Sequence, residues 1–238
     1  MYGGTGSDKP KWAFVTPWIL LDSAAVPGNG GELRLYRRGD EFSIKVAGRG
    51  ELMNSRVHGS EDALAEQTCA RLVNSIAPKL LIGGLGMGFT LAAALRHLGD
   101  QGRAVVAELV PAVVAWNRGP LGEPAGHPLE DPRVSVREGD VARVLSAGQQ
   151  AFDAILLDVD NGPEGLTREQ NDWLYGMNGL NAAYAALRPR GVLAVWSASP
   201  DPDFVQRLRK VGFEVEEQRV RAHGTKGARH TIWFARRP

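Results

Sequence analysis

Beyond Lys79 the chain alternates short apolar runs with longer segments whose apolar positions recur at helical spacing. The pattern predicts strands near 79–83, 103–108, 132–137, 152–158, 191–197, 213–221 and 229–236. Helices are predicted near 87–98, 111–118, 140–147, 170–187 and 202–210. Runs such as Ala154-Ile155-Leu156-Leu157 are apolar at every position, which suits strands covered on both faces and therefore a mostly parallel sheet. The last two strands are separated only by a Gly/Lys/Arg/His loop, and so close a return implies an antiparallel hairpin. Upstream the pattern changes. Between Lys11 and Ser55, short alternating runs such as Leu33-Arg34-Leu35-Tyr36 and Phe42-Ser43-Ile44-Lys45-Val46 are broken by turn residues, which predicts a β-hairpin region. Ser60, as N-cap ahead of Glu61 and Asp62, opens a helix with apolar residues at Leu64, Leu72 and Ile76 that ends near Pro78. Met1 to Pro10 has no periodicity and reads as a loose end.

The expected organisation is a flexible stretch over 1–10, a β-hairpin region over 11–58 and one α/β domain over 59–238. A chain of 238 residues with 43% hydrophobic and 23% charged residues can bury one sizeable core. Its formal charge of +1 gives no global field toward nucleic acid or a membrane surface, and no broad basic stripe interleaved with aromatics is visible. Partners are expected to be small molecules, with neither nucleic acid nor membrane involved. No apolar run approaches the roughly 20 residues needed to cross a bilayer, no signal segment precedes the domain, and Cys69 has no second cysteine to pair with. A cytoplasmic location is the expectation. Five scattered histidines offer no metal-ligand spacing, so no metal is expected.

The chemistry concentrates at strand ends. The apolar run Leu80-Leu81-Ile82 empties into Gly83-Gly84-Leu85-Gly86-Met87-Gly88, a loop of the kind that lets backbone approach a ligand closely. Its third glycine comes too early for the G-x-G-x-x-G of a dinucleotide site, which suits an adenosine-sulfonium ligand better than a pyrophosphate. Glu108 ends the second strand, where a carboxylate can accept both ribose hydroxyls; the bland reading is an exposed acid. Asp140, after Gly139 and before Val141, can accept from an adenine amino group, cap the next helix, or do both. Asp158 ends the fourth strand.

Taken together, Gly83-Gly84-Leu85-Gly86-Met87-Gly88, the run Ala107-Glu108-Leu109-Val110-Pro111, Glu138-Gly139-Asp140 and Asp158-Val159-Asp160-Asn161-Gly162-Pro163 resemble the spermidine synthase family. That family lies within the class I S-adenosylmethionine-dependent methyltransferase-like fold. The resemblance implies a Rossmann-like α/β fold with a mostly parallel seven-stranded sheet, a C-terminal antiparallel hairpin and a small N-terminal β-region. It also implies that Gly83, Gly84, Gly86, Gly88, Glu108, Leu109, Gly139, Asp140, Val141 and Asp158 bind the cofactor. Pairing of the N-terminal hairpins between chains, as in that family, would make a homodimer.

Three departures bear on the reaction. Polyamine synthases of the family carry an aspartate in the glycine loop, where this chain has Gly86. Their Tyr-His pair on the first helix aligns with Leu64-Ala65, although Glu61 and Glu66 match flanking acids. Their Asp-x-x-Asp is here the shorter Asp158-Val159-Asp160. Loss of the loop acid favours a donor that keeps its own carboxylate. Methyl transfer from S-adenosylmethionine to a small amine- or carboxylate-bearing metabolite is therefore the first expectation, with Asp158 and Asp160 as catalytic residues. Aminopropyl transfer from decarboxylated S-adenosylmethionine to a diamine, giving a polyamine, is the alternative. A nucleoside-binding protein without catalysis is the third. Arg219, Arg221, His223, Lys226, Arg229 and His230 form a basic turn that either meets an anionic substrate or is simply solvated. Arg56, His58, Trp173, Tyr175 and Trp196 are further candidates for the pocket, the aromatics being as readily core.

Overall fold

The computed structural model describes residues 16–28, 30–72, 75–159, 173–223 and 226–238. A four-stranded antiparallel sheet comes first, from β1 (Ile19–Ala25), β2 (Glu32–Arg38), β3 (Glu41–Val46) and β4 (Gly50–Asn54), paired in chain order. The expected hairpin region is thus a complete small sheet. Its inner positions, including Leu35, Phe42 and Ile44, are buried in the same apolar cluster as the helices beneath it, while β1 leaves Ile19, Leu20 and Leu21 exposed.

Helix α1 (Gly59–Ala70) follows. It begins and ends earlier than the pattern implied: His58 rather than Ser60 occupies the N-cap, without a side-chain cap bond. The Ser60 hydroxyl instead donates to the Glu61 carboxylate at 2.6 Å, so the residue expected to cap satisfies an acid of the first turn.

The larger sheet is built from β5 (Lys79–Gly83), β6 (Arg103–Glu108), β7 (Val134–Glu138), β8 (Phe152–Leu157), β9 (Leu187–Ser197), β10 (Glu214–His223) and β11 (Lys226–Arg236). Its strand order is β10-β11-β9-β8-β5-β6-β7. Strands β5 through β9 run parallel to one another, whereas β11 is antiparallel to both β9 and β10. This is the mostly parallel sheet with a C-terminal hairpin that the apolar pattern predicts, and the Rossmann-like fold that the resemblance implies. Helices α2 (Phe89–His97), α3 (Pro111–Arg118), α4 (Gly122–Ala125), α5 (Val141–Ala147), α6 (Met177–Ala186) and α7 (Pro202–Val211) complete the chain. The predicted helix over 170–187 is broken at Gly176: residues 173–175 are helical, α6 begins at Met177, and residues 170–172 lie outside the described chain. The short α4 and a 3₁₀ turn at Pro128–Glu130 occupy a stretch where the periodicity signals nothing.

Because side chains alternate across a strand, neighbouring residues feed two different cores. Leu80 and Ile82 face the cluster shared with α1, α2, α3 and the small sheet, whereas Leu81, Ile155 and Leu157 face α5, α6 and α7. Coverage on both faces accounts for strands without polar alternation. The chain leaves β5 toward β6 and β7 on one side and resumes at β8 and β9 on the other, so β5 and β8 flank the topological switch point. A crevice opens there at the carboxyl ends, the usual ligand position in such sheets.

Candidate functional site

At the switch point the loop after β5 meets the end of β8. The Asp158 N–H donates to the Gly83 carbonyl at 2.9 Å, which closes the two strand ends together. Gly84 has φ +88°, and a Cβ there would fall 2.3 Å from the Asp158 carbonyl oxygen. Only glycine satisfies both the left-handed backbone and that approach. Gly86, at φ +53°, lies against the small sheet: a Cβ on it would come 3.2 Å from the Met53 sulfur. Asn117 of α3 donates to the Gly86 carbonyl at 2.8 Å and fixes the loop from the opposite side. The glycines expected to admit a ligand therefore first admit the protein's own backbone and Met53, while Gly84 and Gly86 still line the crevice.

Glu108 is buried, 7% exposed, which corrects the reading of it as an exposed acid. One carboxylate oxygen accepts the Leu85 N–H and the other the Val110 N–H, each at 2.8 Å. The side chain thus staples the glycine loop to the entry of α3. Glu108 and Leu109 both line the cavity. Gly139 donates its N–H to the Glu108 carbonyl at 2.7 Å, bringing the end of β7 alongside. Asp140 caps α5 by accepting the Ala142 N–H through Oδ1 at 2.8 Å, and it lines the same cavity with Val141. Both roles considered for Asp140 are geometrically compatible.

Asp158 forms the other end of the site. Its carboxylate accepts the Thr90 hydroxyl of α2 at 2.6 Å. Burial, and then the charge of Glu61, push its pKa up to about 7, against which the Thr90 hydrogen bond works only in part. Burial also raises Glu61, with Ser60 opposing and Asp62 adding to the rise. Two carboxylates, one from α1 and one from β8, thus share a poorly solvated corner where both cannot easily ionise. A carboxyl poised near neutrality can hold or accept a proton from an amine.

Glu61 and Thr90 are the members of this corner that the sequence did not assign. Glu61 carries one signal, its place among the acids of the first helix that match the resembled family. Asp160 lies outside the described residues. Arg56 points to Glu41, at 3.3 Å, and is 70% exposed. His58 stacks on Phe89 with ring centroids 4.1 Å apart and pairs with Asp62 at 2.7 Å. Tyr175 packs edge-on against Phe204 within the core and Trp173 packs beside that cluster; Trp196 packs on the opposite cluster and against the His230 ring. Within the basic turn, Arg221 stands opposite Arg229 across the hairpin, and Arg219 reaches only Glu217, at 3.8 Å. None of the described basic residues lines the cavity. The described residues hold no cluster of His, Cys, Asp and Glu able to bind a metal, and no described helix is long and apolar enough to cross a membrane.

No protein-family model matches the chain, and no curated protein matches it in sequence. Solved structures do match in fold. A spermidine synthase in complex with the transition state analogue AdoDATO superposes with a TM-score of 0.72 at 19% identity, over 92% of this chain and 72% of the other. The spermidine synthase of Thermotoga maritima gives the same values. A probable spermidine synthase from Corynebacterium glutamicum ATCC 13032 matches with a TM-score of 0.62 at 15% identity, over 90% of this chain and 79% of that one. The protein therefore has the fold of these spermidine synthases.

Proposed function

We propose that the protein transfers the aminopropyl group of decarboxylated S-adenosylmethionine to an amine. The observation that carries this reading is the pair Asp158 and Glu61, two poorly solvated carboxylates at the switch point. Intact S-adenosylmethionine would bring a third carboxylate toward that corner, and like charges in a poorly solvated site repel strongly. The decarboxylated donor has only an ammonium there, which the pair attracts. This moves the weight from the first expectation, methyl transfer, to its alternative. Likeness of fold to the spermidine synthases points the same way.

The residues present fit such a donor. Glu108 and Asp140 both line the cavity and would offer carboxylate oxygens to the ribose hydroxyls and the adenine amino group, and Leu109 with Val141 supplies apolar walls for a base. The donor brings a carbon activated by attachment to a sulfonium. The protein has to align the acceptor nitrogen with that carbon, exclude water, and receive the proton the nitrogen loses. Asp158 is placed for the last task, and Thr90 orients its carboxylate.

Methyl transfer from the intact donor remains the second reading, favoured by one specific observation: Gly86 and Met53 put no charge into the loop that the donor's tail would follow. Calorimetric titration with the two donors separates the readings. Aminopropyl transfer predicts tighter binding of the decarboxylated form by about tenfold or more, some 1.4 kcal/mol. Tighter binding of the intact form would refute it.

A further inference from the structure

The cavity has two chemically different halves. Toward β6 and β7 it meets Glu108, Leu109, Asp140 and Val141. Toward the small sheet it meets Val26, Leu33, Ile44, Val46, Leu52 and Met53, with no charged side chain among the described residues. The glycine loop joins the two: Gly84 abuts the Asp158 backbone and Gly86 abuts the Met53 sulfur. The Asp158 backbone and the apolar wall thus meet the same loop two residues apart. Among the described residues, the acids at the cavity are Glu108, Asp140 and Asp158, with Glu61 acting on Asp158. None of them belongs to the small sheet.

This charge pattern constrains the acceptor. A diamine anchored by one nitrogen at Asp158, with its body along the sheet wall, would carry its second ammonium away from water and against hydrocarbon, where an unpaired charge is strongly disfavoured. An alkyl or aryl body placed there loses nothing polar and gains from leaving water. Met53 lies so close to Gly86 that a Cβ there would come 3.2 Å from its sulfur. Its thioether is a soft and adaptable apolar surface.

We propose that the acceptor is a monoamine with an apolar body, its nitrogen held at the Asp158 and Glu61 pair and its carbon body against Ile44, Leu52 and Met53. The proposal rests on the transfer reading above. In the step, the amine lone pair forms the new N–C bond while the C–S bond breaks with its electron pair going to sulfur. The sulfonium becomes a neutral thioether, and the proton lost from the new ammonium goes to the Asp158 carboxylate.

The test is calorimetric titration of the full chain with hexylamine, 2-phenylethylamine and 1,4-diaminobutane, each with and without saturating 5′-methylthioadenosine. The two monoamines are expected to bind tighter than the diamine by about tenfold or more; equal affinity, or a preference for the diamine, overturns the proposal. Met53→Glu places a carboxylate on the wall and is expected to reverse that ranking by about tenfold, and an unchanged ranking overturns the placement of the body. Leu52→Glu, at a partly exposed position of the same strand, reads the same reversal should Met53→Glu fail to fold. Failure of 5′-methylthioadenosine to bind would strike the transfer reading itself, while the amine ranking without the nucleoside still decides for or against the apolar wall.

Discussion

Asp158 carries the largest electrostatic tension described in the molecule, and its consequences run in opposite directions for stability and for chemistry. A carboxyl whose pKa rises from 3.8 to about 7 on folding favours its protonated form in the native state. The stability so gained is complete below pH 3.8 and is lost as pH climbs through about 7. Asp158→Asn keeps an acceptor for the Thr90 hydroxyl but cannot ionise. It is expected to raise the melting temperature clearly at pH 8, less at pH 5 and little below pH 3, as scanning calorimetry would show. Turnover should meanwhile fall by about a hundredfold or more, the usual worth of a positioned proton acceptor. A variant equally active, or no more stable at high pH, would remove Asp158 from the role given to it. Glu61→Gln addresses the partner. With that charge gone the Asp158 pKa drops, so the rise of kcat/KM with pH near neutrality should move to lower pH. A pH–rate profile that stays in place would show that the two carboxylates do not act together.

Among the elements, the turn between β5 and α2 is the most constrained. Gly83 to Gly88, Glu108, Asp140 and Asp158 were legible in the sequence because each sits at the end of an apolar strand, and strand ends can be placed from local pattern alone. Glu61, Thr90 and Met53 were not. Glu61 reaches Asp158 through the packing of α1 on the sheet, Thr90 through α2, and Met53 meets Gly86 through the docking of β4. None of these approaches leaves a trace in spacing along the chain. The capping of α1 was misread for a related reason: a serine before two acids looks like an N-cap locally, yet Glu61 takes its hydroxyl. Gly86→Asp, which restores the acid of the resembled synthases, is expected to destabilise the protein by about 1–3 kcal/mol through overpacking against Met53. Met53→Ala combined with it should recover part of that loss in urea unfolding; simple additivity would deny the contact. Glu108→Ala strips the acceptors of two buried N–H groups and is expected to cost about 2–6 kcal/mol, at roughly 1–3 kcal/mol for each unsatisfied group. Glu108→Gln, which keeps one acceptor oxygen, should cost clearly less in the same measurement, and equal losses would show that the two backbone bonds do not hold the loop.

For the molecule as a whole, the arrangement is a Rossmann-like sheet whose crevice is bordered by a second, smaller sheet. Sequence pattern gave the parallel core and its terminal hairpin, since buried strands and short returns are local signals. It gave the N-terminal region only as hairpins, because the burial that makes Leu35, Phe42 and Ile44 one inner face depends on docking to α1, α2 and α3. That docking bears directly on function. In the proposed reading the nucleoside lies on the large sheet, beside Glu108 and Asp140 at successive strand ends, and the apolar wall of the small sheet selects the acceptor. The central claim is that a carbon chain, rather than a methyl group, leaves the sulfonium. It is tested most directly by identifying the nucleoside product by mass spectrometry after incubation of the protein with hexylamine and an equimolar mixture of intact and decarboxylated S-adenosylmethionine. Accumulation of 5′-methylthioadenosine together with aminopropyl-hexylamine is the predicted result. Accumulation of S-adenosylhomocysteine with a methylated amine would contradict it.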